Sequence, residues 1–107
     1  MLVLPIGKNY FFTVGKEITI RVNIDFPFAI VRIEAPLNNE IRKGEERELI
    51  DRTSDFISII REKHEKIIIN EEIEIIITDI TKDKAYFGIV SANGFLVHRK
   101  PILNYKI

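Results

Sequence analysis

Alternation of apolar and polar residues is the feature that most constrains the fold of this chain. Residues 16–25 read KEITIRVNID and residues 71–81 read EEIEIIITDIT. This period of two is typical of strands with one buried face, and the isoleucines and valine that carry it are β-branched. Shorter segments of the same kind are separated by glycine and proline turn signals. The sequence predicts strands at residues 1–6, 10–14, 16–25, 28–34, 39–43, 56–61, 66–70, 71–81, 84–91 and 95–98.

Two segments favour a helix over a strand. After Gly44 the sequence EERELIDRTS places Glu45 and Glu46 in a first turn, where the helix dipole stabilises acidic side chains, so a short connecting helix is predicted there. The tail from Lys100, KPILNYKI, either begins a second helix with Pro101 at its first position or is a flexible end. The predicted fold class is therefore mainly β with one or two short helices.

The pattern of strands and turns occurs twice in the sequence. YFFTVGKEITI at residues 10–20 aligns without a gap with EKIIINEEIEI at residues 65–75, at an offset of 55, and AIVRI aligns with AYFGI at an offset of 56. An isoleucine-rich β-protein can align with itself by chance, but here the order of strands and turns is repeated as well. We predict two repeats, residues 1–55 and 56–107, each a five-stranded β unit with a short helix, which together form one compact domain.

Composition excludes several classes of protein. The 107 residues are 46% hydrophobic and 30% charged, which is too apolar for a disordered chain. The chain has no cysteine, so it has no disulfide, thiol nucleophile or thiolate metal site. No apolar run approaches the roughly 20 residues of a membrane span, and no signal peptide is recognisable, so a cytoplasmic protein is predicted.

The net charge is zero, but the charges are unevenly distributed along the chain. Residues 1–33 carry four basic and two acidic side chains, residues 34–83 carry 8 basic and 14 acidic ones, and residues 84–107 carry four basic and none acidic. The two ends are therefore basic and the middle is acidic. A fold that brings the ends together would create a basic surface.

An ordered set of short motifs runs through both halves. The first half contains MLVL at its start, then GKEI, VRI and Ala-Pro; the second contains IIR, EIEIIITDIT, AYFGIV and a final FLVHR. This set resembles the carbon storage regulator family of RNA-binding translational regulators. The chain departs from the family where Pro5-Ile6-Gly7 replaces a threonine and two basic residues, where Ile41-Arg42-Lys43 replaces Val-His-Arg, and where Glu62 replaces a basic residue.

The resemblance implies both an architecture and a function. Family members are intertwined homodimers in which the first strand of one chain lies beside the last strand of its partner. A tandem chain would be intertwined as an intramolecular pseudo-dimer and act as a monomer, with residues 1–6 beside 95–99 and residues 57–61 beside 40–43. The implied partners are mRNA or small regulatory RNA hairpin loops containing GGA, whose unstacked bases suit such recognition, and the implied outcome is repression of translation.

The family match also implies which residues bind RNA. Arg99 would contact phosphate and base, because its planar fork donates two parallel hydrogen bonds. The predicted RNA-binding residues are Leu4, Lys8, Val97, His98, Arg99 and Lys100. A second, weaker site would comprise Arg42, Lys43 and Arg61, where neighbouring glutamates oppose phosphate binding.

Alternatives to RNA binding stay open. No glycine-rich phosphate loop, metal-ligand cluster or nucleophile–base pair occurs in the sequence, so no enzyme activity, metal site or cofactor is predicted. The loss of basic residues at positions 5–7 favours a protein-interaction module that kept the fold and lost RNA binding, for instance by competing for a family member's protein antagonist. A structural subunit built on an unrelated barrel of strands is a further alternative.

Overall fold

The computed structural model describes residues 1–44, 46–92 and 94–102, which form eleven β-strands and no helix. The strands are β1 (Leu2–Gly7), β2 (Tyr10–Val14), β3 (Ile18–Asp25), β4 (Phe28–Glu34), β5 (Ile41–Lys43), β6 (Glu48–Leu49), β7 (Phe56–Arg61), β8 (Lys66–Ile69), β9 (Ile73–Ile80), β10 (Lys84–Ser91) and β11 (Val97–Pro101). The prediction of a mainly β protein is confirmed.

The strands form two antiparallel sheets. The order is β1-β10-β9-β8-β5-β6 in the first sheet and β11-β2-β3-β4-β7 in the second. Three consecutive strands form the middle of each sheet, and strands from the other half of the chain flank them. Over the described residues the two sheets stay separate and do not close into a barrel.

The alternating residues of both long strands face the core. Ile20 of β3 and Ile75 of β9 are fully buried, as the sequence pattern predicts. Phe12 of β2 and Phe87 of β10 are also fully buried, with ring centroids 5.2 Å apart and ring planes tilted by 56°. This aromatic pair comes from opposite sheets, so it packs the two sheets against each other over one hydrophobic core.

The predicted strands agree closely with the observed ones. Those at residues 10–14, 28–34, 56–61 and 84–91 have the same bounds as β2, β4, β7 and β10. The others differ at their ends, most clearly in the last strand, which begins at Val97 and continues to Pro101. Alternation fixes where a strand lies, whereas its ends depend on pairing with neighbours that are distant in sequence.

The predicted connecting helix after Gly44 is wrong. Glu48 and Leu49 form β6, which pairs with Lys43 and Arg42 of β5 in a tight antiparallel hairpin. Leu49 is 50% exposed, so Ile50 is the apolar residue of this pair that packs against the core. Pairing with β5 satisfies the backbone of β6, and Glu45, the first residue of the predicted helix, lies outside the described residues.

The predicted helix at the carboxyl end is not found in its described part. Lys100 and Pro101 extend β11 and pair with Phe11 and Tyr10 of β2. Residues 103–107 lie outside the described residues. In the part of the chain that the structure describes, no helix is long and apolar enough to cross a membrane.

Candidate nucleic-acid interface

The side chain of Arg99 connects the first strand to the last. Its Nε donates a hydrogen bond of 3.0 Å to the carbonyl oxygen of Pro5, and its guanidinium carbon lies 3.8 Å from the centroid of the Tyr10 ring. β1 and β11 are edge strands of different sheets, and each pairs with another strand, β10 and β2 respectively. The predicted closeness of the two chain ends therefore takes the form of a side-chain bridge rather than a shared backbone ladder.

The alternation of side chains along β11 determines which of them can reach Pro5 and Tyr10. Val97 and Arg99 pair with Val14 and Phe12, whose side chains are buried, so they lie on the face of β11 that turns towards the other sheet. Val97 packs against the core, whereas Arg99 lies further along the edge and is exposed. The side chains of His98 and Lys100 lie on the opposite face of β11.

Arg99 lines a cleft of about 480 Å³, here called the terminal cleft. It contains four basic side chains and one acidic side chain, which give it a formal charge of +3. Its lining residues are Pro5, Gly7, Lys8, Asn9, Tyr10, Asn23, Ile24, Lys82, Asp83, Lys84 and Arg99. Convergent positive charges in a concave surface raise the local concentration of anions.

Two turns meet at this cleft because β1 pairs with β10. The register sets Gly7 opposite Lys84, so the turn after β1, which contains Lys8, lies beside the turn between β9 and β10. A Cβ atom added to Gly7 would lie only 3.1 Å from the carbonyl oxygen of Asp83. Glycine at position 7 therefore suits the close approach of the two turns, because a side chain there would crowd the Asp83 carbonyl.

The one acidic side chain in the cleft is held by its own turn. The Thr81 hydroxyl donates to a carboxylate oxygen of Asp83 at 2.9 Å, and the Thr81 backbone N–H donates to the Lys84 carbonyl at 2.8 Å. These bonds fix the turn between β9 and β10. Lys82 and Lys84 flank Asp83 and contribute two of the four cleft cations.

Only two of the predicted RNA-binding residues, Lys8 and Arg99, line this cleft. Leu4 is half-buried and packs against the core at the edge of β1. His98 lies in a separate groove of about 580 Å³ that also contains Lys16. The remaining two, Val97 and Lys100, belong to β11 but are not among the residues that line the cleft.

The predicted second site lies along β7. Lys43 and Arg61 line a groove of about 340 Å³, here called the middle groove, with Ile50 and residues 57–60. Arg61 is buried, and its guanidinium donates to the carbonyl oxygens of Ile60 at 2.8 Å and Lys66 at 3.3 Å. It also lies 3.6 Å from a carboxylate oxygen of Glu65, so its charge is already paired within the chain.

Arg42 is separated from this groove and is paired as well. Its guanidinium forms ion pairs with Glu40 at 3.3 Å and Glu71 at 3.6 Å, and it donates to the Arg47 carbonyl at 3.0 Å. The two arginines of the second site are thus neutralised by neighbouring carboxylates. Phosphate binding at this edge would have to break those contacts, which makes the terminal cleft the more favourable anion site.

The predicted site did not include Tyr10 or the two other lysines of the terminal cleft, Lys82 and Lys84. The absence of acidic residues after Lys84 was a signal for the basic character of this region. Nothing in the sequence indicated that Lys82 lies near Lys8, because their turns meet only through the pairing of β1 with β10.

Comparisons with known protein families, with curated proteins and with solved structures found no match to this chain.

Proposed function

We propose that this chain is an RNA-binding post-transcriptional regulator that recognises GGA-type single-stranded loops in mRNA and represses translation through the terminal cleft. The observation that carries this proposal is the position of Arg99, which bridges β11 to Pro5 of β1 and stacks on Tyr10 beside Lys8 and Lys82. A cleft with one arginine and three lysines can bind phosphates and still present donors to unstacked bases.

The strand arrangement supports an intramolecular pseudo-dimer. β1 and β5 flank β8–β10, while β7 and β11 flank β2–β4, so each sheet takes its flanking strands from the other half of the chain. This is the exchange expected if residues 1–55 and 56–107 are two intertwined repeats. Fusion of the repeats makes their association intramolecular and lowers its entropic cost.

The registers of the two sheets support the same proposal. Ile20 pairs with Ile33 in β3–β4, and the residues 55 and 56 positions later, Ile75 and Ile89, pair in β9–β10. The register of β9–β10 shifts between Tyr86 and Phe87, which leaves one extra residue in β9. This bulge accounts physically for the change of the sequence offset from 55 to 56.

The terminal cleft is the dominant site in this proposal. A loop whose phosphates contact Lys8, Lys82 and Lys84 would place its bases against Arg99 and the exposed edge of β1. Binding at a ribosome entry site would then block translation by occupancy, and the chain itself would perform no chemical step. One hairpin per chain is the expected stoichiometry.

The test is a titration of a fluorescent hairpin carrying a GGA loop, with a loop-scrambled hairpin as the RNA control. The Arg99→Ala variant should bind about 1–3 kcal/mol more weakly, which is roughly 5- to 150-fold, and should discriminate less between the two loops. Arg32→Ala is the matched protein control, because Arg32 is an exposed arginine that pairs with Glu34 on the same sheet, away from the cleft.

Two results would contradict the proposal at different points. Unchanged affinity of Arg99→Ala for the GGA hairpin would show that RNA binds elsewhere on the chain. Absence of binding by the wild-type chain at low salt would favour the alternative, a protein-interaction module that kept the fold. The uncharged sequence Pro5-Ile6-Gly7 in β1 is the feature that favours this alternative.

A further inference from the structure

We propose that the terminal cleft also binds a free nucleoside diphosphate, which would compete with RNA for the same cations. The competition rests on the proposed function, whereas binding of the nucleotide depends on the cleft alone. At about 480 Å³ the cleft lies within the size range of small-molecule sites.

The positive charge of the cleft is not neutralised by the residues that the structure describes. No ion pair among them involves the cleft cations, which are Lys8, Lys82, Lys84 and Arg99. The Asp83 carboxylate accepts instead from the Thr81 hydroxyl at 2.9 Å. By contrast, glutamates already pair with Arg21, Arg32, Arg42, Arg47 and Arg61. The cations of the cleft are therefore available to an added anion.

The charge of a nucleoside diphosphate matches that of the cleft. A terminal phosphate carries about −1.5 to −2 at neutral pH and an inner phosphate adds about −1, so the total is about −3. The basic and acidic side chains of the cleft give it a formal charge of +3. An RNA strand spreads its charge over successive nucleotides, whereas a diphosphate presents all of it in one small ligand. Cations that converge from two turns suit the compact anion.

Arg99 provides a fixed, flat surface for the base of the nucleotide. Its guanidinium carbon lies 3.8 Å from the centroid of the Tyr10 ring, and its Nε donates to the Pro5 carbonyl at 3.0 Å. These contacts hold the guanidinium in place before a ligand arrives, which lowers the entropic cost of binding. Arg99 is exposed, so a base can stack on the face of the guanidinium that is turned away from Tyr10.

Apolar and amide side chains complete the lining of the cleft. Pro5 and Ile24 offer apolar surface to the sugar and the base. The side-chain amides of Asn9 and Asn23 form no hydrogen bond in the described part of the chain, so they can bind polar edges of the ligand. A small-molecule site of this kind combines apolar walls with a few convergent polar groups.

Isothermal titration calorimetry of the full chain with ADP, at low salt and without divalent cations, tests this proposal. ADP should bind and adenosine should not, because adenosine has no phosphate. Inorganic pyrophosphate should bind at least about fivefold more weakly than ADP, because it has no base to stack on Arg99. The affinity for ADP should fall as the salt concentration rises.

A charge reversal in the cleft separates this site from general attraction to the chain. Lys82→Glu should weaken ADP binding by about tenfold or more, because it replaces a cation of the cleft by an acidic side chain. Lys16→Glu is the matched control, since Lys16 is also an exposed lysine in a turn but does not line the cleft. Circular dichroism of both variants would establish that they keep the β fold of the wild type.

Three results would overturn the proposal, namely no binding of ADP, ADP binding no tighter than that of pyrophosphate, and equal affinity of the two variants for ADP. Displacement of a bound GGA hairpin by ADP would support the shared site, and a hairpin that stays bound at saturating ADP would overturn it. If the chain binds ADP but no hairpin, the RNA function is refuted and the nucleotide site stands. If it binds the hairpin but not ADP, the nucleotide site is refuted and the RNA function stands.

Discussion

Removal of two lysines from the terminal cleft should reduce the salt dependence of RNA binding by about half. Lys8, Lys82, Lys84 and Arg99 line the cleft, and each can neutralise one phosphate. For single-stranded nucleic acid the logarithm of affinity falls with the logarithm of salt concentration by about 0.7 per neutralised phosphate, which predicts a slope of about −2.8 for four contacts. The double variant Lys82→Ala/Lys84→Ala should have a slope of about −1.4.

These slopes correspond to readily measurable losses of affinity. Between about 50 mM and about 200 mM salt, the wild-type affinity for the GGA hairpin should fall roughly 50-fold, and that of the double variant roughly sevenfold. Fluorescence anisotropy titrations at four or more salt concentrations would give both slopes. Lys16→Ala/Lys63→Ala is the control, because it removes the same charge from two exposed lysines that do not line the cleft.

The reasoning would be refuted by equal slopes for the two double variants. That result would mean that the net charge of the chain, and not the convergence of the two turns, governs the interaction with RNA. A wild-type affinity that does not change with salt concentration would also refute the reasoning, since four cations cannot bind a polyanion without releasing counterions.

Two further predictions concern stability. Phe12→Ala should lower the free energy of unfolding by about 3–5 kcal/mol in urea denaturation, because it removes a fully buried ring that packs on Phe87 across the sheets. An equal loss for Phe56→Ala, which removes a half-exposed ring, would contradict this. Arg52→Ala should lower the free energy of unfolding by about 1.5–3 kcal/mol in the same measurement, because the Arg52 guanidinium donates hydrogen bonds of 2.7–2.9 Å to three carbonyl groups of the β4–β5 connection. If Arg32→Ala, which removes an exposed arginine, lowers it by as much, the Arg52 hydrogen bonds do not stabilise the fold.

The strands could be predicted from the sequence because burial alternates locally along each of them. Ile20 and Ile75 are buried where the period of two places them, and β2, β4, β7 and β10 have the predicted bounds. The segment after Gly44 was mispredicted because its acidic residues suit a helix terminus, whereas the pairing of β6 with β5 depends on the folded context. A short, exposed hairpin has no periodic pattern from which it could be recognised.

The candidate site was predictable only in its parts. Arg99 and Lys8 came from the family resemblance and from the basic ends of the chain, and the structure places both in one cleft. Lys82 and Lys84 required the register of β1 against β10, which joins residues from opposite ends of the sequence. Arg61 was predicted to bind RNA, but its guanidinium already contacts Glu65 and two carbonyl groups, which the sequence could not show.

The terminal cleft and the middle groove differ at positions that correspond under the sequence offsets. Arg99 and Pro5 of the terminal cleft align with Lys43 and Ile60 of the middle groove, and Tyr10 aligns with Glu65. The proline removes a donor from β1 and the arginine covers its carbonyl, so that edge resists strand pairing while it presents cations to a ligand. Ile60 restores the donor on β7, but Arg61 covers its carbonyl and is paired with Glu65, so the middle groove has less free positive charge to offer an anion. The same strand arrangement thus produces one cleft that attracts anions and one groove whose arginine is already neutralised, because a few side chains decide how much positive charge each of them presents.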